Sequence, residues 1–118
     1  MSYQAPNIKT GLYLVATPIG TASDISLTAL NLLASANVLV AEDTRNLLKL
    51  MNLHSIKLAR RPLLSYHDHN GKEQRPRILS FLKEDKSVVF VSDAGTPLIT
   101  APGYRLVAEA LSNGCRVS

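Results

Sequence analysis

The sequence predicts an α/β protein built on an open, mainly parallel, five-stranded sheet with helices on both faces. Three observations carry that expectation. Short apolar runs alternate with stretches of helical spacing four times in succession. Parallel neighbours need crossover connections, and crossovers put helices on the outside of the sheet. Each apolar run also ends in a polar cluster, as strands do when they meet a ligand at their carboxyl ends.

The elements follow in order. Gly11–Ala16 (GLYLVA) is a compact apolar run bounded by Gly11 and by Thr17-Pro18, and it reads as a buried strand. Ile25, Leu27, Leu30, Leu32, Leu33 and Ala36 then recur at helical spacing, with Ser23 or Asp24 able to cap the first turn. Residues 37–41 (NVLVA) form a second strand ending in Glu42-Asp43-Thr44-Arg45, after which Leu47, Leu48 and Met51 resume the helical pattern. The stretch 52–62 is irregular and basic and leads to a third strand at 63–66, which ends in His67-Asp68-His69-Asn70.

A helix over 72–85 shows Ile78, Leu79 and Leu82 on one face, with Pro76 expected in its first turn, where a missing N–H does least harm. Residues 87–91 (SVVFV) make the most strand-like segment, β-branched and aromatic. They run into Ser92-Asp93-Ala94-Gly95-Thr96-Pro97, a loop dense in turn formers. A helix over 103–113 buries Leu106, Val107, Ala110 and Leu111, and Asn113-Gly114 stops it in the left-handed conformation. Residues 115–118 open a fifth strand, and the natural protein is expected to continue beyond it.

Composition narrows the classes. With 118 residues, 46% of them hydrophobic and 19% charged, the chain suits one domain, taken as 11–118, preceded by a flexible polar segment at 1–10. The apolar runs are far shorter than the ~20 residues of a membrane span. The amino terminus lacks a secretory pattern, and Cys115 has no second cysteine to pair with. A cytoplasmic protein is expected. Thirteen basic against nine acidic residues, a net charge of +4, suit a polyanionic partner.

Several chemistries are poorly supported. The turn at 17–24 follows a strand and opens a helix but has one glycine, so it misses the dinucleotide fingerprint, and no phosphate loop or nucleophile elbow occurs. His67 and His69 invite a metal, yet neither His54 nor Cys115 has a motif that supplies a further ligand, and no metal is expected. Glu42–Arg45 suits a helix cap or the orientation of a polar substrate. Asp93 followed by Gly95, with Pro97, Pro102 and Gly103 stiffening the loop, describes backbone held close to something small.

Taken together, TPIG at 17–20 with Asp24-Ile25 and Leu27, AEDTR at 41–45, HDHN at 67–70, and SDAGTPLI with PGYRLV between 92 and 107 resemble the amino-terminal domain of the tetrapyrrole (corrin/porphyrin) methylases, in the branch that modifies ribosomal RNA. The resemblance implies S-adenosylmethionine-dependent 2′-O-methylation of a cytidine ribose in the 16S rRNA of the 30S subunit. It also implies a homodimer of two-domain subunits, with the donor held between the domains. By similarity, Pro18, Gly20, Asp93, Gly95, Thr96 and Pro97 would line the donor site, and Glu42, Thr44, Arg45, His69 and Asn70 would face the RNA. Asp43 or His67 would take the ribose proton. Basic Lys57, Arg60, Arg61, Lys72, Arg75 and Arg77 would meet phosphates or form solvated helix faces.

Gly71 departs from the family pattern, which commonly has a glutamate there. The readings set against an RNA methyltransferase are a tetrapyrrole C-methyltransferase domain and a non-enzymatic α/β module binding a divalent ion. Without a second domain, the chain is expected to fold, to bind the donor weakly and to leave RNA unmethylated.

Overall fold

The computed structural model describes residues 8–16, 25–92 and 101–118, with the side chains of 101 and 102 excepted. The chain runs β1 (Gly11–Ala16), α1 (Leu27–Ser35), β2 (Val38–Ala41), α2 (Thr44–Leu53), β3 (Leu63–Ser65), α3 (Gly71–Lys83), β4 (Ser87–Ser92) and α4 (Ala101–Ser112). The sheet order is β1-β4-β2-β3, and every pairing is parallel. The expected α/β architecture is present, with one correction. Among the described residues the sheet has four strands, and the fifth is a single parallel bridge between Val117 and Leu12. Three backbone bonds make that bridge: Leu12 N–H to Arg116 O, Ser118 N–H to Leu12 O and Leu14 N–H to Ser118 O. They tie one turn of pleat, too little for a strand.

Strand side chains alternate between two cores, as a pleat with period two requires. Leu12, Val38, Val40, Leu64, Val88 and Phe90 pack with Ile78, Leu79 and Leu82 of α3 and Leu106 and Ala110 of α4. Val15, Leu39, Ala41, Val89 and Val91 pack on the opposite face with Ala29 and Leu33 of α1 and Leu47, Leu50 and Met51 of α2. Both faces are therefore covered. Each fully buried aliphatic side chain contributes about 1.5–3 kcal/mol over an exposed one.

Helix ends explain the boundary differences. Ser26 caps α1, its hydroxyl accepting from the Ala29 N–H at 3.1 Å. The cap is thus later than expected, and Ser23 and Asp24 lie outside the described residues. Helix α3 starts at Gly71, which makes Pro76 its sixth residue and not part of the first turn. The proline is exposed, and it leaves the Lys72 carbonyl without its helical donor. Helices α2, α3 and α4 all close with paired 6→1 and 5→2 bonds: Ile56 N–H to Met51 O, Lys86 N–H to Phe81 O and Cys115 N–H to Ala110 O are the longer-range members. The left-handed residues at these three ends are Ser55 (φ 59°), Asp85 (φ 62°) and Gly114 (φ 76°).

Topology positions the site. The steps β1 to β2 and β2 to β3 move one way across the sheet with α1 and α2 on one face, and the step from β3 to β4 returns by α3 on the other. Adjacent β1 and β4 therefore send the chain to opposite faces, and their carboxyl ends flank a topological switch point, where open sheets bind ligands. Ala16 pairs with Ser92 and Ala41 with Val91, so β1, β4 and β2 end at one level.

Candidate functional site

The four strands end in Ala16, Ser92, Ala41 and Ser65 across this carboxyl edge. All four side chains are small, and Ala41 and Ser92 are buried. Pro18, Gly20, Asp93, Gly95, Thr96 and Pro97 follow β1 and β4 in sequence and lie outside the described residues. The remaining candidates fall on two neighbouring loops. Glu42–Arg45 follows β2 and 67–70 follows β3, and the loops are stitched together by Tyr66 N–H to Ala41 O at 2.9 Å and Ser65 Oγ to Glu42 O at 3.4 Å.

Asp43 is the N-cap of α2. Its Oδ1 accepts from the Arg45 N–H at 3.0 Å and from Arg45 Nε at 3.3 Å. The Arg45 guanidinium holds the Asp43 carboxyl below its usual range, helped by backbone N–H groups of Arg45 and Asn46. The carboxylate is partly exposed, the guanidinium almost fully so. Thr44 opens the helix, and Glu42 is half-buried at the strand end.

On the second loop, Asn70 is spent on backbone. Its Oδ1 accepts from the His67 N–H at 2.8 Å and its Nδ2 donates to Ser65 O at 2.9 Å. The amide thus ties the exit of β3 to the start of α3 and presents little to a substrate. His67 Nδ1 accepts from the His69 N–H at 3.1 Å, and the two rings meet edge to face at 5.7 Å. An acceptor Nδ1 puts the ring proton on Nε2, so His67 offers a donor. His69 is exposed.

Sequence reasoning missed Tyr66, which is fully buried, stacks edge-on against Phe90 at 5.5 Å, and anchors the base of this loop. Burial raises its pKa while the Arg75 guanidinium against its hydroxyl pulls the other way. The hydrogen bond to Tyr66 in turn raises the pKa of Arg75, which reaches Glu109 of α4 at 3.5 Å. Arg75 is thus a bridge between α3 and α4 and is not free to meet a phosphate. Gly71 explains its departure from the family pattern here. A Cβ at that position would lie 3.1 Å from Arg75 Nη1 and 3.3 Å from Tyr66 Cε1, so this packing admits only glycine without movement.

Arg61 is committed as well. Its guanidinium, from the segment before β3, donates to Leu33 O at 2.7 Å, Ala36 O at 3.0 Å and Leu58 O at 3.0 Å, and also to Lys57 O. It caps the carboxyl end of α1, which carries no basic residue in its own last turn. Among the described residues, no three His, Cys, Asp or Glu side chains are grouped to hold a metal, and no helix is long and apolar enough to cross a membrane.

Residues 11–118 match the sequence model of the Tetrapyrrole (Corrin/Porphyrin) Methylases. The chain is 47% identical over 110 residues to ribosomal RNA small subunit methyltransferase I of Mesorhizobium japonicum, covering 93% of this chain and 36% of that protein. It is 45% identical over 106 residues to the protein of the same name from Thermotoga maritima, covering 90% and 46%. The chain therefore spans less than half the length of these curated relatives. In three dimensions it is similar to uroporphyrin-III-C-methyltransferase from Thermus thermophilus, with a TM-score of 0.65 and 19% identity over 92% of this chain and 46% of that one.

Proposed function

The chain belongs to the tetrapyrrole (corrin/porphyrin) methylase family, and from that premise we propose that it is the α/β domain of an S-adenosylmethionine-dependent enzyme that methylates the 2′-oxygen of a cytidine ribose in 16S rRNA. The observation that carries the reading is the 47% identity, over 93% of this chain, to a protein named for small-subunit ribosomal RNA methylation. The neighbouring ends of β1, β4 and β2 support it, because one ligand seated at that edge lies close to all three strand ends. Pro18 and Gly20 after β1, with Asp93, Gly95, Thr96 and Pro97 after β4, would hold the donor, which supplies an electrophilic methyl group when bound. The small residues at the strand ends suit the close approach that this requires.

A ribose hydroxyl is a poor nucleophile, so this chain's residues must align it and take its proton. Asp43 takes the proton in this reading, since it keeps ionised oxygens at the surface, whereas His67 presents a donor and orients the substrate. Glu42, Thr44, Arg45 and His69 face the RNA beside them. Asn70 positions His67 through its backbone. The same resemblance supports a cytoplasmic homodimer working on the 30S subunit, which sedimentation of the protein with and without subunits would check.

The test is tritiated adenosylmethionine with 30S particles, using this chain alone and fused to the part of the Mesorhizobium relative that follows the matched region. Label retained in an alkali-resistant dinucleotide is expected from the fusion and not from the chain alone, because a 2′-O-methyl group blocks cleavage at that position. Label in a tetrapyrrole in place of RNA would overturn the substrate. Calorimetric heat from magnesium but none from adenosylmethionine would favour an ion-binding module instead.

A further inference from the structure

The charge excess of the protein sits at the end of the sheet opposite the candidate site. Six exposed basic side chains mark the amino-terminal edge of the strands: Lys9 before β1, Lys57 and Arg60 before β3, Lys83 and Lys86 before β4, and Arg116 before the Val117 bridge. Only Glu84 and Asp85 oppose them there among the described residues. At the carboxyl edge the balance reverses, with Glu42, Asp43, Asp68 and Glu73 against Arg45 and Lys72. Cations at helix carboxyl ends are favourable for stability alone. That accounts for Lys83, the one basic residue in the last turn of any of the four helices. The others lie beyond the helices.

Arg60 and Lys86 share a depression of about 520 Å³ with Phe81, Pro62 and the anchored Arg61. Its size lies within the ~300–1,000 Å³ of small-ligand sites and admits a phosphate with its sugar. Arg61, fixed by α1 carbonyls, gives the depression a rigid floor, while Arg60 and Lys86 remain exposed at its rim.

We propose that this amino-terminal edge is a second nucleic-acid contact, at which Lys57, Arg60 and Lys86 bind the phosphodiester backbone of a structured RNA remote from the methylated ribose. The inference rests on the RNA substrate proposed above and adds a surface to it. Phosphate contacts fix position and orientation without reading sequence. A protein whose reactive edge is acidic gains most of its attraction for RNA elsewhere.

The experiment measures binding of a fluorescein-labelled RNA hairpin by anisotropy across a salt series. It compares the wild-type chain with Lys57→Glu/Arg60→Glu/Lys86→Glu and with Lys49→Glu/Arg105→Glu, a control on exposed helix flanks whose loss is compared per charge reversed. The first variant should lose at least about tenfold in affinity and flatten the salt slope by roughly two to three units, and the control should lose much less. A neutral version, Lys57→Gln/Arg60→Gln/Lys86→Gln, with unchanged circular dichroism, keeps the result interpretable if the charge reversal unfolds the chain. Equal losses per charge reversed in both variants, no loss in either, or no RNA binding by the wild-type chain would overturn the proposal. So would preferential binding to phosphatidylserine vesicles over RNA. If the RNA binds here yet receives no label in the transfer assay, the methylation reading fails and this surface stands.

Discussion

Arg60 and Arg61 are neighbours with opposite fates, and no local pattern in the sequence separates them. Arg61 is half-buried against five backbone carbonyls that include the end of α1, while Arg60 points to water. Burial lowers the pKa of Arg61, yet an arginine starts so far above neutral that it stays charged. Arg61→Ala is therefore expected to destabilise the fold by about 2–4 kcal/mol, through lost charge-assisted bonds and orphaned carbonyls, and Arg60→Ala by under ~0.5 kcal/mol. Urea denaturation of the two variants checks this, and equal midpoints would refute the cap. Asp43 permits a finer separation, because asparagine caps a helix about as well as aspartate but cannot take a proton. Asp43→Asn should keep the cap, lower the melting temperature only by what the exposed Arg45 ion pair supplies, and lose roughly 10²–10⁴-fold in methyl transfer, and retained activity would leave Asp43 a cap only. Since Arg45 lowers its folded pKa, the stabilisation that Asp43 gives is present at neutral pH. It is lost as pH falls below about 3.9 and through the depressed value. In an NMR titration Arg45→Ala should raise that midpoint, and an unmoved midpoint would remove the assigned cause. The sequence offered Glu42–Arg45 and 67–70 as polar clusters at strand ends, which the structure bears out as places. It hid that Asn70 is consumed by backbone, because that depends on a turn whose geometry no spacing encodes.

At the level of elements, helix endings divide into those a sequence announces and those it conceals. Asn113-Gly114 announces one, and the other two use Ser55 and Asp85, which adopt a left-handed backbone at more cost than glycine. Space around Gly114 is open, so a methyl group there meets nothing and only backbone conformation is at stake. Gly114→Ala should cost about 1 kcal/mol and Asp85→Gly should gain about 0.5–1 kcal/mol, read as opposite shifts in thermal midpoint. Shifts of the same sign would mean that side-chain contacts, not φ, govern these ends. The strands were legible for a simple reason. A parallel strand buried on both faces must be apolar along its middle, and 88–91 is. Pro76 was misplaced because the turn held by Asn70, not the proline, sets where α3 begins.

Strand order belongs to the whole molecule, and pattern alone does not give it. The elements follow one another along the chain, but β4 inserts between β1 and β2 only because its Val88, Val89, Phe90 and Val91 can be buried from both sides by two helix layers. That insertion separates two ends of unlike character: an acidic carboxyl edge with small residues at the strand tips, and a basic amino edge clasped by Asn37 and Ser87, whose groups exchange bonds of 2.9–3.1 Å. The two ends should answer to different ligands. In hydrogen–deuterium exchange, saturating adenosylmethionine is expected to slow uptake in peptides ending at Val15-Ala16 and Val91-Ser92, leaving those around Lys57–Arg61 and Lys86 unchanged. An RNA hairpin should do the reverse at the amino edge. Binding protects only the backbone whose opening it opposes, so the two footprints separate if the two ends act independently. A donor footprint centred on the Arg60–Lys86 depression would mean that the switch point between β1 and β4 is not where this fold takes its methyl group, and the placement of the catalytic loops would have to be abandoned with it.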